Sequence, residues 1–474
     1  MKTKDELILQ PSQKPPLAKK TNVFEKISFY GIVGIIFLAA IPYGTVEPWF
    51  KLLFVFLTCV FVVFRILDGI ITNTPIFSNK LFFAPLLGIL LLAVFQIIPF
   101  SAFSQSPFFQ SPVSVDVFET KNFILVFVGL LITGEILLLY TTSEKRMRHL
   151  VYLVFAISLG STLFGFARVL FLDGGNNFLS SYFNKKIQFA QFVNQNHYAY
   201  LVEMNLGLLL GLQLKTKLEQ WQKPLYWIMT AISCFSIIWI NSRGAILSMV
   251  GLSLFTVLLY FFTRQKDYYV KMDSPRRISW KQKYLKPILT AILFSSLLFG
   301  FAAFIVSFVG GDPVVSRIET IQAEINENKS GKTSRREIWL ATLELIKENP
   351  ILGVGFGGYP IAITAFDKSS GELALQQAHN DYLEVLASGG IVAFGLLLIF
   401  IILLFKRISL QIKSGNNFRQ GICFGATVGI FGIMLHSMVE FGLHIIINAL
   451  VLIILIVLAT AKINSRNIKQ TEDC

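Results

Sequence analysis

The sequence predicts an all-α polytopic membrane protein of about twelve transmembrane helices, with one large helical loop on its outer side. Three observations lead there. Of 474 residues, 54% are apolar and only 15% are charged, against about 25% charged in a soluble domain. Apolar runs close to the ~20 residues that cross a bilayer as a helix recur along the whole chain. Lys and Arg fall on alternate connections between those runs, as they do in cytoplasmic loops. The net charge of +14 therefore follows membrane topology and does not call for a nucleic acid. Cys59, Cys234, Cys423 and Cys474 show no disulfide or metal spacing.

A cytoplasmic tail, 1–26, carries six lysines and precedes the first run. The first nine runs centre on 27–42, 49–67, 81–99, 121–140, 149–172, 198–214, 224–240, 244–262 and 287–310. The last three centre on 385–405, 420–438 and 443–462, and a second cytoplasmic tail, 463–474, closes the chain. With both termini inside, every short connection obeys the positive-inside rule. The expected organisation is then nine spans over 27–310, an outer loop over 311–384 and three spans over 385–462.

The outer loop is far longer than an ordinary connection. Within it, RREIWLATLELIKEN (335–349) places Trp339, Leu343 and Ile346 on one face of an amphipathic helix ended by Pro350. GVGFGG (353–358) follows and allows close backbone approach. A further helix is expected to start near His379 and run into the tenth span.

Under this topology the unusual polar residues collect on the outer side. Arg243 sits in NSRGAIL, a short polar turn between two apolar helices, where a guanidinium serves either as a snorkelling anchor or as a ligand facing an outer vestibule. Arg335 and Arg336 open the amphipathic helix, where cations oppose the helix dipole. They are either a solvated pair or two arginines converging on a phosphate-like anion. His379, in QQAHNDYLEVLASGG, is either packed against Leu383 and Leu386 or a general base, with Tyr382 and Glu384 near enough in sequence to orient it. Asn194, Asn196 and His197 open the sixth span, and His436, Ser437, Glu440 and His444 surround the last outer turn. The spacing of His436, Glu440 and His444 also suits a metal on a continuous helix, but Gly442 interrupts it and a hydrogen-bond network is the favoured reading. The chain has no GxxxxGK[ST] loop, HExxH motif or outer DxD pair, so an anion bound outside falls to arginines.

At these residues the chain resembles the superfamily of O-antigen ligases and O-antigen polymerases, integral-membrane glycosyltransferases. IPYGTVEPW (41–49), FVNQNHYAYL (192–201), NSRGA (241–245), TSRREIWLATLELIKENPILGVGFGGYP (333–360) and QAHNDYLEVLASGGI (377–391) are each similar to a family segment, and they occur in the family's order. The resemblance implies a GT-C-like fold in a bacterial inner membrane. It also implies transfer of a glycan from undecaprenyl pyrophosphate to an acceptor hydroxyl on the periplasmic face, inverting and without metal or cofactor. By position, Arg243 and Arg335 would bind the pyrophosphate and His379 would activate the acceptor. Arg336, Asn194, Asn196, Trp339, Tyr382, His436 and Glu440 would complete substrate binding. The expected partners are the undecaprenyl-pyrophosphate-linked glycan, a lipid A-core or other glycan acceptor and the lipid bilayer, with no nucleic acid. A ligase is favoured by the helix-plus-glycine segment. The alternatives are a polymerase joining lipid-linked repeat units and, in a different class, a polytopic transporter or flippase.

Overall fold

The computed structural model describes residues 22–41, 47–75, 77, 79–99, 112–171, 187–270, 335–367, 375–412 and 417–462. The tails, the ninth predicted span and the first part of the outer loop lie outside these residues. Eight helices come first: α1 (Val23–Ala39), α2 (Pro48–Thr72), α3 (Lys80–Gln96), α4 (Val117–Tyr140), α5 (Glu144–Phe171), α6 (Gln195–Lys215), α7 (Gln222–Trp239) and α8 (Arg243–Val270). The outer loop contributes α9 (Arg335–Glu348) and the single turn α10 (Tyr359–Ala362). The chain then forms α11 (Asp381–Gln411), α12 (Asn417–His436) and α13 (Ile446–Thr460). Among the described residues the only β pairing is an isolated bridge between Phe189 and Phe192. Among the described residues, six helices, namely α2, α4, α5, α8, α11 and α12, are long and apolar enough to cross a membrane, and α3 and α13 are shorter apolar helices. The protein is an all-α, multi-pass membrane protein.

The bundle is organised around α6 and α12. No hydrophobic gradient separates helices from lipid, so tight association there relies on small residues and close backbones. A Cβ on Gly211 would stand 2.3 Å from the Cα of Gly425, and one on Gly207 would stand 2.4 Å from the backbone nitrogen of Gly429. The two helices therefore pack backbone to backbone, and α8, α13 and α7 complete the layer around them. Almost all of α6 is buried, including Glu203 and Asn205. Its polar residues thus face protein, where they find partners, and not lipid.

Alpha-11 is broken at Gly390, whose φ of 62° lies in the left-handed region. The break exists because the 350–355 segment docks into it. Ile391 N–H donates to Pro350 O at 2.9 Å, Val354 N–H to Ala387 O at 3.0 Å and Gly355 N–H to Ser388 O at 2.9 Å. Gln96, at the end of α3, donates to Leu352 O at 2.7 Å and to Ser388 O at 2.9 Å. Every freed backbone group named here is satisfied within the protein, as irregular chain near a membrane requires. The glycine run 353–358 is thereby fastened to the bundle as a platform beneath α9.

Alpha-9 forms where the sequence predicts it, but on a rotated face. Ile338, Thr342 and Leu345 are its buried residues, whereas Leu343 is 41% exposed. Thr342 is polar, so hydrophobic periodicity does not mark it as a core residue. In the fold its hydroxyl donates to Ile338 O at 2.7 Å and meets the Tyr359 hydroxyl at 2.8 Å, so it enters a small core with Val354 and Ile363 at little cost.

Candidate functional site

The start of α6, the start of α8, the end of α12 and the start of α11 gather at one end of the bundle, the end that carries α9. A single carboxylate joins three of these elements. Glu440 lies in the turn after α12 with its side chain 1% exposed. Its Oε1 accepts hydrogen bonds from Arg335 Nη2 and from Asn196 Nδ2, the latter at 2.6 Å. Its Oε2 lies 3.3 Å from His379 Nδ1. Burial alone would raise the Glu440 carboxyl, but the hydrogen bond to His379 and the charge of Arg335 outweigh it and hold the group below the ordinary glutamate range. An ionised carboxylate only accepts, so His379 Nδ1 carries a proton; in the neutral ring Nε2 is then the acceptor. Arg335 and His379 remain partly open, with side chains 41% and 31% exposed.

The His379 backbone is held as firmly as its ring. Its φ is +49°, a left-handed conformation that a non-glycine residue keeps only under constraint. Preceding it, Ala378 N–H donates to Glu384 Oε2 at 3.0 Å, and Ala378 O accepts the Trp339 indole N–H at 3.1 Å. Following it, the Asn380 side chain caps α11 by accepting from Tyr382 and Leu383 N–H, both at 3.0 Å. Asp381 N–H then reaches Ser437 O at 2.9 Å. The imidazole stands edge-on to Phe441, centroids 4.8 Å apart, and His197 packs on the same ring at the same distance.

Several expectations change here. His379 precedes α11 and does not ride on it with Leu383 and Leu386, because Asn380 starts the helix. Neither Tyr382 nor Glu384 orients the imidazole: the Tyr382 hydroxyl donates to Met434 O at 2.9 Å, and Glu384 is spent on the Ala378 amide. Arg335 and Arg336 do not converge. Successive positions on a helix point about 100° apart, so Arg335 turns to Glu440 while Arg336 is exposed. Asn194 caps α6 by accepting from Asn196 N–H at 2.8 Å, and in doing so aims the Asn196 amide at Glu440. Trp339 anchors the segment before His379.

His436, Glu440 and His444 belong to three different networks, because α12 ends at His436. His436 is 0% exposed and lies 3.0 Å from Glu203, so it cannot meet a substrate directly. His444 Nε2 lies 3.3 Å from Glu384 and 3.7 Å from Asp381. Arg243 is the first residue of α8, half-buried, after a turn in which Asn241 has φ +51°. A Cβ on the adjacent Gly244 would stand 3.1 Å from the Val439 side chain, so the start of α8 packs on the turn that carries Glu440.

The part that sequence reasoning underrated is Glu440 as the common acceptor. Its signal was present only as an acidic residue in a polar cluster otherwise unusual for a span end. What the arrangement offers chemically is one guanidinium held at a helix start, a half-buried arginine at the start of α8, and a part-exposed imidazole whose Nδ1 faces Glu440.

Residues 228–398 match the protein-family model described as O-antigen ligase. No curated protein matches the chain. The matched stretch contains Arg243, Arg335 and His379, while Asn196 and Glu440 lie on either side of it.

Proposed function

With residues 228–398 an O-antigen ligase domain, we propose that this membrane glycosyltransferase moves a glycan from undecaprenyl pyrophosphate to an acceptor hydroxyl, and that the acceptor is lipid A-core. The observation that carries this reading is the Glu440 carboxylate, which draws Arg335, Asn196 and His379 from three distant segments onto one open face. On this reading the face is periplasmic, the bundle has twelve spans, and both termini are cytoplasmic.

The acceptor hydroxyl gives its proton to His379 Nε2 as its oxygen attacks the anomeric carbon. The bond from that carbon to the pyrophosphate oxygen breaks, and the electron pair leaves with undecaprenyl pyrophosphate. Attack from the opposite face inverts the anomeric centre. Arg335 keeps donors free beyond the one spent on Glu440, since a guanidinium carries five. Together with Arg243 it stabilises the charge that grows on the leaving group. Glu440 stabilises the imidazolium that forms and keeps the ring aimed.

The test uses purified full-length protein with two donors carrying the same glycan, one on a pyrophosphate and one on a monophosphate polyprenyl lipid. The pyrophosphate donor should react with acceptor and release undecaprenyl pyrophosphate, and His379→Ala should not support this. Equal use of the monophosphate donor would overturn the clamp.

A further inference from the structure

His436 ends α12 in a fully buried cluster of polar side chains. Its Nδ1 lies 3.0 Å from Oε1 of Glu203 on α6, and both side chains are 0% exposed. The second Glu203 oxygen accepts the Ser248 hydroxyl of α8 at 2.8 Å. Tyr200 stacks on the imidazole with ring centroids 4.3 Å apart. On the remaining edge Gly244 leaves just enough room, since a Cβ there would stand 2.9 Å from His436 Nε2. Gly244 directly follows Arg243. The His436 carbonyl accepts the N–H groups of Val439 and Glu440 at 3.0 and 3.1 Å, which shapes the turn that carries Glu440.

Such a pair is a costly way to fill space. Apolar residues of similar volume generally stabilise a buried site as well or better, and ionisable groups inside a membrane bundle mark function by default. Here the imidazole packs against the backbone beside Arg243, on the residue whose own carbonyl closes the Glu440 turn.

We propose that Glu203 and His436 are positioning residues for the transfer reaction, holding the Arg243 turn and the Glu440 turn in one register. The inference rests on the reading of Arg243 as a pyrophosphate ligand. Glu203 fixes the ring, the ring sets the distance between α8 and the end of α12, and the α8 start that carries Arg243 is held against the turn that carries Glu440. Neither member touches substrate.

The test is a double-mutant cycle on purified full-length protein, using undecaprenyl-pyrophosphate-linked glycan and lipid A-core as substrates. Glu203→Gln keeps the shape and replaces the carboxyl by an amide, whereas Gly244→Ala leaves both side chains in place and crowds the imidazole. Either change alone should raise donor KM and lower kcat/KM at least tenfold. In an Arg243→Lys background the same change should cost less than twofold more, because the guanidinium it serves is gone. Should Glu203→Gln fail to fold, Gly244→Ala carries the cycle. Losses that multiply in the double variants, or single variants with wild-type kinetics, would overturn the proposal. An Arg243→Lys variant with full activity would instead sink the underlying reading of Arg243.

Discussion

Asn196 donates its side-chain amide to Glu440 across 2.6 Å, joining residues 244 positions apart. The contact places the first turn of α6 against the turn after α12, and it occupies the same carboxylate oxygen that Arg335 uses. The other oxygen is left for His379. One buried acceptor thus sets the position of a cation, the tautomer of a base and the approach of two helices.

Glu440→Gln should keep the shape of this junction and lose its charge. A hydrogen bond to a charged group is worth about 1.5–3 kcal/mol, so transfer should fall roughly 10- to 100-fold. Rates measured with membranes loaded with carrier-linked glycan check this, and activity within twofold of wild type would contradict it.

Arg243→Lys and Arg335→Lys retain the charge but lose the planar fork that binds a phosphate through two parallel bonds. Both variants should express normally and lose most activity, with donor KM rising for each. Full activity from either lysine variant would remove that residue from the pyrophosphate clamp.

The depressed Glu440 carboxyl also makes a prediction about acid. An unfolded glutamate titrates near ~4.3, and the folded group titrates below that. The stability it contributes is therefore fully present above about 4.3 and is lost as pH falls through the lower folded value. Thermal unfolding of wild type should lose more stability across that acid window than unfolding of Glu440→Gln. Parallel curves would argue against an ionised, clamped carboxylate.

Gly390→Ala tests the docked loop. An alanine at φ 62° and ψ −167°, a region essentially reserved for glycine, costs roughly 1–3 kcal/mol, and here its Cβ would also stand 2.1 Å from Ile351 O. The variant should melt at lower temperature and expose the 350–358 segment to protease, whereas Gly395→Ala, with nothing within 4 Å of the added atom, should not.

The sequence makes the bundle largely legible because apolar length is a strong signal. Helices α1 to α8 and α11 to α13 coincide with predicted runs. Arg243, Arg335 and His379 stand out in the sequence as polar residues near helix ends, and the fold brings Arg335 and His379 onto one carboxylate. Their companions do not stand out in the same way. Glu384 is five residues from His379 and was expected to orient it, yet it serves the backbone of Ala378, while the partner of the ring comes from Glu440, 61 residues away. Such pairing is decided by tertiary packing, which no local spacing encodes. The buried face of α9 was missed for a related reason, since Thr342 becomes a core residue only once Tyr359 supplies its hydroxyl. The break at Gly390 depends in the same way on a loop that docks from 350–358.

The most direct test of the central claim is a gel that separates lipid A-linked from carrier-linked glycan. The strain lacks this chain and is complemented with wild type or with His379→Ala. The account predicts that wild type restores long glycan on lipid A-core. His379→Ala should instead leave bare lipid A-core while long chains accumulate on undecaprenyl pyrophosphate. Single repeat units without longer chains would contradict ligation and assign the same site to polymerisation, and full restoration by His379→Ala would remove the imidazole from the chemistry.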